Sequence, residues 1–322
     1  MKTYCAGVLG VFLLVAGFLS PEVRAQAAAE AHVAAAKAAA GEDYARMFEN
    51  LCSVPAPPGE RAARPYPPPA SEWDAEPAKV FDNLYYVGSK TVGSWAVTTS
   101  EGIIIIDALF EYSVEEEIVN GLKKLGLDPA QIKYVVVSHA HGDHYAGAPF
   151  LQDRLKAPIL MSAADWDYIA GQRNPSKPRR DQVVTDGQKL TLGDTTITMY
   201  LTPGHTPGTI SFLVPVRDGA NQHLASMWGG TAFNFPRTAE NFRIYANSAQ
   251  KFTEIVKSNP VDIVLTNHPA NSHVHEKISA LRGRQDYEPH PFVVGKDSQL
   301  SHLTVASECA QAQMARLAAG GR

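Results

Sequence analysis

The sequence is poor in cysteine. Only Cys5, Cys52 and Cys309 occur in 322 residues, and no two stand at CxxC spacing, so a thiolate zinc site is excluded. It also lacks an excess of positive charge. Twenty-nine Lys and Arg against 33 Asp and Glu give a formal net charge of −4, which leaves no basic footprint for nucleic acid. Nor is there a long apolar run. "AGVLGVFLLVAGFL" (Ala6–Leu19) falls short of the ~20 residues a membrane-spanning helix needs. With Lys2 before it and "VRA" ahead of Gln26, this run reads instead as a secretory signal over residues 1–25. The mature chain is then expected to begin near Gln26 and to be periplasmic or secreted, without a stable membrane span. Cys5 would leave with the signal. The two remaining cysteines could pair in an oxidising compartment, or could be two unrelated buried thiols; the sequence leaves both open.

Hydrophobic residues make up 45% of the chain, enough for a large core. Residues 26–70 read as an N-terminal extension. Its first part is alanine-rich and favours helix. Its second, "SVPAPPGERAARPYPPPASEW" (Ser53–Trp73), is too rich in proline for helix or inner strand and reads as a linker or wrap. Residues 71–322 form the catalytic body. "NLYYVGS", "GSWAVTTS", "GIIIIDA", "IKYVVVS" and "APILMS" read as strands, as do "QKLTLGDTTITMYLT" (a hairpin), "TISFLVP", "LASMWGG" and "VDIVLTNHP". "VEEEIVNGLKKLGL", "AADWDYIAG", "NSAQKFTEIVKSN" and the C-terminal "SHLTVASECAQAQMARLAAG" read as helices. Strands with helices outside them imply a layered α/β fold.

What is present is histidine at strand ends. "YVVVSHAHGDHYAG" (Tyr134–Gly147) places His139, His141, Asp143 and His144 within six positions. Neutral imidazoles and carboxylates crowded together are metal ligands. Gly142 is expected to turn the chain so that the later ligands face a second point. "TMYLTPGH" ends in His205, between Pro203 and Pro207, a rigid turn. "DIVLTNHP" ends in His268 before Pro269, which favours an extended backbone. Three matching segments set aside the reading of a solvated polar loop.

Taken together, "HAHGDH", "TPGHTPG" and "NHP" resemble the metallo-β-lactamase superfamily, over about Trp73 to the C-terminus. The likeness is greatest to the third subclass of class B (zinc) β-lactamases. The resemblance implies a four-layer αββα sandwich holding two zinc ions. His139, His141 and His205 would hold the first; Asp143, His144 and His268 would hold the second. A bridging hydroxide, oriented by Asp143, would attack the β-lactam amide, since zinc lowers the pKa of its water to about 7.

Two departures bear on substrate. Other hydrolases of the superfamily, such as glyoxalase II and lactonases, carry a bridging aspartate after a late strand. Here Gly229, Gly230 and Thr231 stand in "MWGGTAF", which favours the lactamase branch. A single carboxylate ligand leaves about two positive charges, attractive to a small anionic substrate. The second departure is Phe233, which stands where that subclass has a serine that helps bind the substrate carboxylate. Thr231 and Asn234 are the remaining donors. Thr231, Phe233 and Asn234 are therefore the expected substrate-binding residues. A lactonase or other ester hydrolase of the same fold, and a catalytically silent zinc-binding module, are the alternatives. A monomer is expected. His32, His223, His290 and His302 read as structural or surface residues, and His273 and His275 as the outer wall of the last loop. Asp107, ending a buried strand, needs partners and reads as a brace for the cluster. "KPRR" (Lys177–Arg180) reads as a solvated loop near the mouth.

Overall fold

Four consecutive isoleucines, Ile103–Ile106, form the strand from which the architecture follows. Successive side chains point to opposite faces, so Ile104 and Ile106 enter one core while Ile103 and Ile105 enter another. Full burial of each contributes about 1.5–3 kcal/mol. The structure, a computed structural model, describes residues 20–53, 65–285 and 287–320. The apolar run of the signal and much of the proline-rich stretch lie outside the described residues.

One sheet holds β1 (Ala78–Phe81), β2 (Leu84–Tyr86), β3 (Trp95–Thr99), β4 (Gly102–Ile106), β5 (Ile132–Val136), β6 (Ile159–Ser162) and β7 (Gln182–Val184), side by side in chain order. It is antiparallel up to β4 and parallel from β4 to β7. The other holds β8 (Gln188–Leu192), β9 (Thr195–Leu201), β10 (Ile210–Asp218), β11 (Asn221–Met227) and β12 (Ile263–Leu265), in the order β12-β11-β10-β9-β8. Only β11 and β12 pair in parallel there. Trp95, Ile104, Val136, Ile197, Phe212 and Met227 meet between the sheets.

The helices are α1 (Pro21–Ala40), α2 (Ala45–Cys52), α3 (Ala70–Trp73), α4 (Gly121–Lys124), α5 (Gly142–Tyr145), α6 (Ala148–Leu155), α7 (Ala163–Gly171), α8 (Ala239–Lys257), α9 (Val274–Gly283) and α10 (Lys296–Ala318). Leu122, Leu151, Trp166 and Ile169 cover the outer face of the first sheet. Phe242, Tyr245, Phe252, Leu303 and Ala306 cover that of the second. The result is the expected αββα sandwich.

Among the described residues no helix is long and apolar enough to cross a membrane. The alanine-rich segment is ordered as α1 and lies on α10, with Ala29, Ala36 and Ala40 buried. Small side chains let the two helices approach. Residues 21–25 bury nothing fully, so a chain beginning at Gln26 keeps every buried contact of α1. Cys52 and Cys309 form a disulfide with Cα atoms 4.7 Å apart, which ties α2 to α10. Gln313 adds hydrogen bonds to the carbonyls of Leu51 and Ser53, at 2.8 and 2.9 Å.

Several elements differ from the reading of the sequence, which gave no element at β7, α6 or α9. β1 was not anticipated. The helix expected from Val114 is π-helical over Glu115–Asn120 before α4. Its Glu117 turns inward to accept the Ala75 N–H at 3.0 Å, and burial pushes the carboxyl up to about 8. The chain does not simply turn at Gly142, where the short helix α5 begins.

Candidate metal centre

The ends of five strands meet at one rim. β4 and β5 deliver Asp107 and the His139 loop; β9, β11 and β12 deliver His205, the Gly229–Ala232 segment and His268. Rigid strands carrying irregular loops are where a precise site belongs. Gly204, with φ 144°, sets the turn that presents His205, and its N–H closes onto the Thr206 carbonyl at 3.0 Å.

The sequence-expected residues come together here. His139 Nε2 lies 3.1 Å from His205 Nε2, and His141 Nδ1 lies 3.0 Å from the same atom. His144 Nε2 lies 3.3 Å from His268 Nε2 and 3.3 Å from Asp143 Oδ2, which is 3.7 Å from His268 Nε2. The first three make one metal-capable group. Asp143 and His144 make a second with His139, and His268 closes on that second group through the two distances just given. His139, His144 and His205 are buried, while His141, Asp143 and His268 are half-buried.

The far side of each ring fixes its tautomer. The Nδ1–H of His139 donates to the Gly229 carbonyl at 2.8 Å, that of His205 to the Ala232 carbonyl at 2.5 Å, and that of His268 to the Thr91 carbonyl at 3.0 Å. His144 donates from Nδ1 to Asp107 Oδ2 at 2.9 Å. With these protons outside, the Nε2 lone pairs of His139 and His205 point inward at each other. Facing lone pairs repel unless a cation lies between them. The donor set therefore fits a metal ion, with outer hydrogen bonds of the kind metal-ligating histidines make.

Charge follows the same geometry. Burial, then the neighbouring histidines, holds His139 well below the ordinary imidazole range. Burial pushes His205 down to about 3 and His141 to about 4. Burial also opposes charge on His144, but Asp143 and Asp107 outweigh it and raise the ring to about 10. Burial opposes ionisation of Asp143 too; His144, His268 and His141 override it and keep the carboxyl far below its usual range.

Asp107 is the principal brace. It is fully buried and accepts from the Ser138 N–H at 2.7 Å, the Ser138 hydroxyl at 2.8 Å and His144. Its backbone sits at φ 69° and that of Leu109 at 62°, a left-handed region costing about 1–2 kcal/mol for a residue with a β-carbon. The Ser94 hydroxyl donating to the Asp107 carbonyl at 2.7 Å helps to hold it there. Two further braces were not read from the sequence. Asp165 accepts from the N–H groups of Ala140 at 3.0 Å and Gly208 at 2.7 Å, and from the Thr206 hydroxyl at 2.7 Å. It thus fastens the His139 loop to the His205 loop. Asn267 donates to the Gly229 carbonyl at 2.6 Å.

The expected substrate residues separate. Thr231 is buried, with its carbonyl accepting from the Tyr245 hydroxyl at 2.7 Å. The Phe233 ring packs edge-on against Tyr245 and Phe242, with centroids 5.0 and 5.2 Å away. Of the three, Asn234 lines a cavity of about 290 Å³ that reaches the cluster at His205. Gly229 and Gly230 have no room for a side chain. A β-carbon on the first would overlap the Ile210 carbonyl, and one on the second the His205 ring.

The other histidines stand apart. His273 and His275 face the carbonyls of Asp43 and Lys90 at 3.1 and 3.2 Å. His32 pairs with Glu308 and His223 with Asp262. His290 stacks on Phe81, and His302 is buried in α10. In "KPRR", Arg179 and Arg180 pair with Asp153 and Asp167 at the surface.

Comparison with known proteins agrees with this geometry. Residues 91–219 match the Metallo-beta-lactamase superfamily. The chain carries a metallo-beta-lactamase domain over those residues. More narrowly, the solved structures it resembles are subclass B3 metallo-beta-lactamases. BJP-1 of Bradyrhizobium japonicum aligns with TM-score 0.65 and 28% identity over 74% of this chain and 94% of that one. Native FEZ-1 of Legionella gormanii aligns with TM-score 0.63 and 26% identity over 71% and 91%. Curated relatives match over less. A hydroxyacylglutathione hydrolase of Acidiphilium cryptum is 36% identical over 26% of this chain and 31% of its own length. An N-acyl homoserine lactonase of a Bacillus species is 28% identical over 46% and 60%. The chain thus spans about a third to three fifths of the length of these relatives.

Proposed function

We propose that the protein is an exported, monomeric, dinuclear zinc hydrolase of β-lactamase type that opens the amide of a small anionic β-lactam. His139, His141 and His205 would hold one ion, and Asp143, His144 and His268 the other. When bound, zinc supplies a nucleophile at neutral pH and an electrophile for the carbonyl. The chain's own residues do the rest. Asp107 and the carbonyls of Gly229, Ala232 and Thr91 hold four rings in one tautomer. Asp143, anionic across the working range, accepts a hydrogen bond from the attacking water and orients it. Asp165 keeps the two ligand loops at fixed separation.

The observation that carries the β-lactam reading is steric. Gly229 and Gly230 pack so closely on Ile210 and His205 that no carboxylate can stand at either position, so one carboxylate serves the pair of ions. The likeness to B3 enzymes over more than nine tenths of their length supports it. The Cys52–Cys309 disulfide supports export, since such bonds persist in oxidising compartments. A lactone or ester hydrolase is the second reading, favoured by the lactonase similarity and by Phe233, which turns into the core instead of offering a donor.

The test is a panel of carbapenem, cephalosporin, penicillin and acyl-homoserine lactone with the zinc-loaded protein. Modest, chelator-sensitive β-lactam turnover is expected. Lactone turnover with no β-lactam turnover would hand the site to the second reading. Phe233→Ser should help β-lactams by about ten- to a hundredfold in kcat/KM, the scale of one hydrogen bond to a charged group.

A further inference from the structure

Arg237 and Arg316 bring two positive charges together on the second helical layer, away from the histidines. Both are half-buried. Arg316 shares the face of α10 that carries Cys309 and Gln313. Arg237 Nη2 donates to Gln313 Oε1 at 2.7 Å, and Arg316 Nη1 donates to the Cys52 carbonyl at 2.6 Å. The Cys52–Cys309 disulfide and the bonds from Gln313 to α2 hold this frame. The Arg237 guanidinium lies over the Phe242 ring, 5.0 Å from its centroid, which fixes the fork. Burial, then Arg316, pulls Arg237 below the ordinary guanidinium range. Among the described residues no carboxylate pairs with either arginine, and Arg237 Nε is buried without an acceptor. A buried donor and an uncompensated charge both cost free energy. The helix ends nearby do not cancel the charge. α2 and α10 present C-termini, α8 begins beside Arg237, and each end carries only about half a unit charge.

We infer that Arg237 and Arg316 form a binding site for a small tetrahedral oxyanion, sulfate or phosphate, that bridges the two guanidinium groups. Planar forks suit such oxygens better than an ammonium does. A tetrahedral dianion offers oxygens to both forks at once, whereas a single carboxylate can satisfy only one. The bound anion fastens the segment before α8 to α10 and, through the disulfide, to α2. That segment carries the Ala232 carbonyl, which orients His205. The site does not depend on the hydrolase reading above.

The experiment uses zinc-loaded full-length protein and follows the Nε–H resonance of Arg237 while sodium sulfate replaces sodium chloride at constant ionic strength. The resonance should move and saturate, with half-saturation at about 1 mM, the scale of two charge-assisted hydrogen bonds. Saturation separates a site from the general exclusion of sulfate, which strengthens burial without a limit of this kind. Acetate should bind about tenfold more weakly, and Arg316→Gln should weaken sulfate by about the same factor or more, each having lost a hydrogen bond between charged partners. A resonance that stays still, moves without saturating, responds equally to chloride or acetate, or saturates unchanged in Arg316→Gln overturns the inference. So does a response to phosphatidylglycerol vesicles with none to free sulfate, which would make the arginines a lipid contact. If Arg316→Gln does not fold, the wild-type comparison of sulfate with chloride and acetate decides by itself.

Discussion

At the rim, His139, His144 and His205 are as buried as His302 is within α10, yet the two regions treat their nitrogens differently. His139 and His205 each give the outer N–H to a main-chain carbonyl and turn a lone pair toward the other's nitrogen 3.1 Å away, and His144 gives its outer N–H to Asp107. His302 has no hydrogen-bond partner on either nitrogen among the described residues, and its ring lies 5.2 Å from that of Tyr44. Burial pushes it down to about 4, as it pushes down His141 and His205. Burial and a depressed pKa are therefore shared by a candidate ligand and a packing residue. Convergence of lone pairs, with every outer proton accounted for, is what separates them.

The largest effect should come from removing what the rim holds. Chelation should abolish hydrolysis, and added zinc should restore it. His268→Ala should lower bound zinc from near two per chain to near one, measured by metal analysis after desalting. Retention of both ions by that variant would erase the distinction drawn for the rim. The helical face should respond in stability alone. Cys309→Ser is expected to cost about 2–5 kcal/mol in urea unfolding while zinc content stays unchanged, and the native oxidised protein should offer no alkylatable thiol at Cys52 or Cys309.

His302 sharpens the contrast further. Its folded pKa of about 4 lies below the ordinary 6.5. Its neutral form therefore contributes fully above pH 6.5, and that contribution is lost as pH falls through 4, by about 3 kcal/mol in all. His302→Leu should flatten this dependence, seen as a smaller drop in urea midpoint between pH 7 and pH 4.5 than in wild type. Equal drops would mean that the ring is solvated after all. Smallest is Asp107→Ala. Loss of the outer partner of His144 should weaken metal binding by about 10–100-fold, read by competition with a chromogenic chelator.

The ligands were legible because each follows an apolar strand, and three such strands in one layered fold end at the same edge. The braces were less so. Asp165 stands three residues after Ser162, whose hydroxyl accepts its N–H at 3.2 Å, so the local pattern reads as a helix cap. Its carboxylate instead faces two loops that only the tertiary fold brings near. Asp107 ends a strand of four isoleucines and was legible as a buried acid in need of partners. β1 follows Pro77 and has only four residues, "AKVF", too few for alternation to show. Phe233 was read against a family position, whereas α8 supplies Phe242 and Tyr245, which draw its ring inward.

Three of the four rings fixed from behind lean on main-chain carbonyls, those of Gly229, Ala232 and Thr91, and one leans on a side chain. A carbonyl is present whatever residue is encoded. Codon changes at Ala232 or Thr91 that leave the chain path intact do not disturb the histidine behind which they stand. No such insurance covers His144, whose orientation is written in a single codon, that of Asp107. Sequence drift around this centre is therefore uneven, broad at 91 and 232 and narrow at 107, and a deep mutational scan scored on hydrolysis would display that unevenness directly.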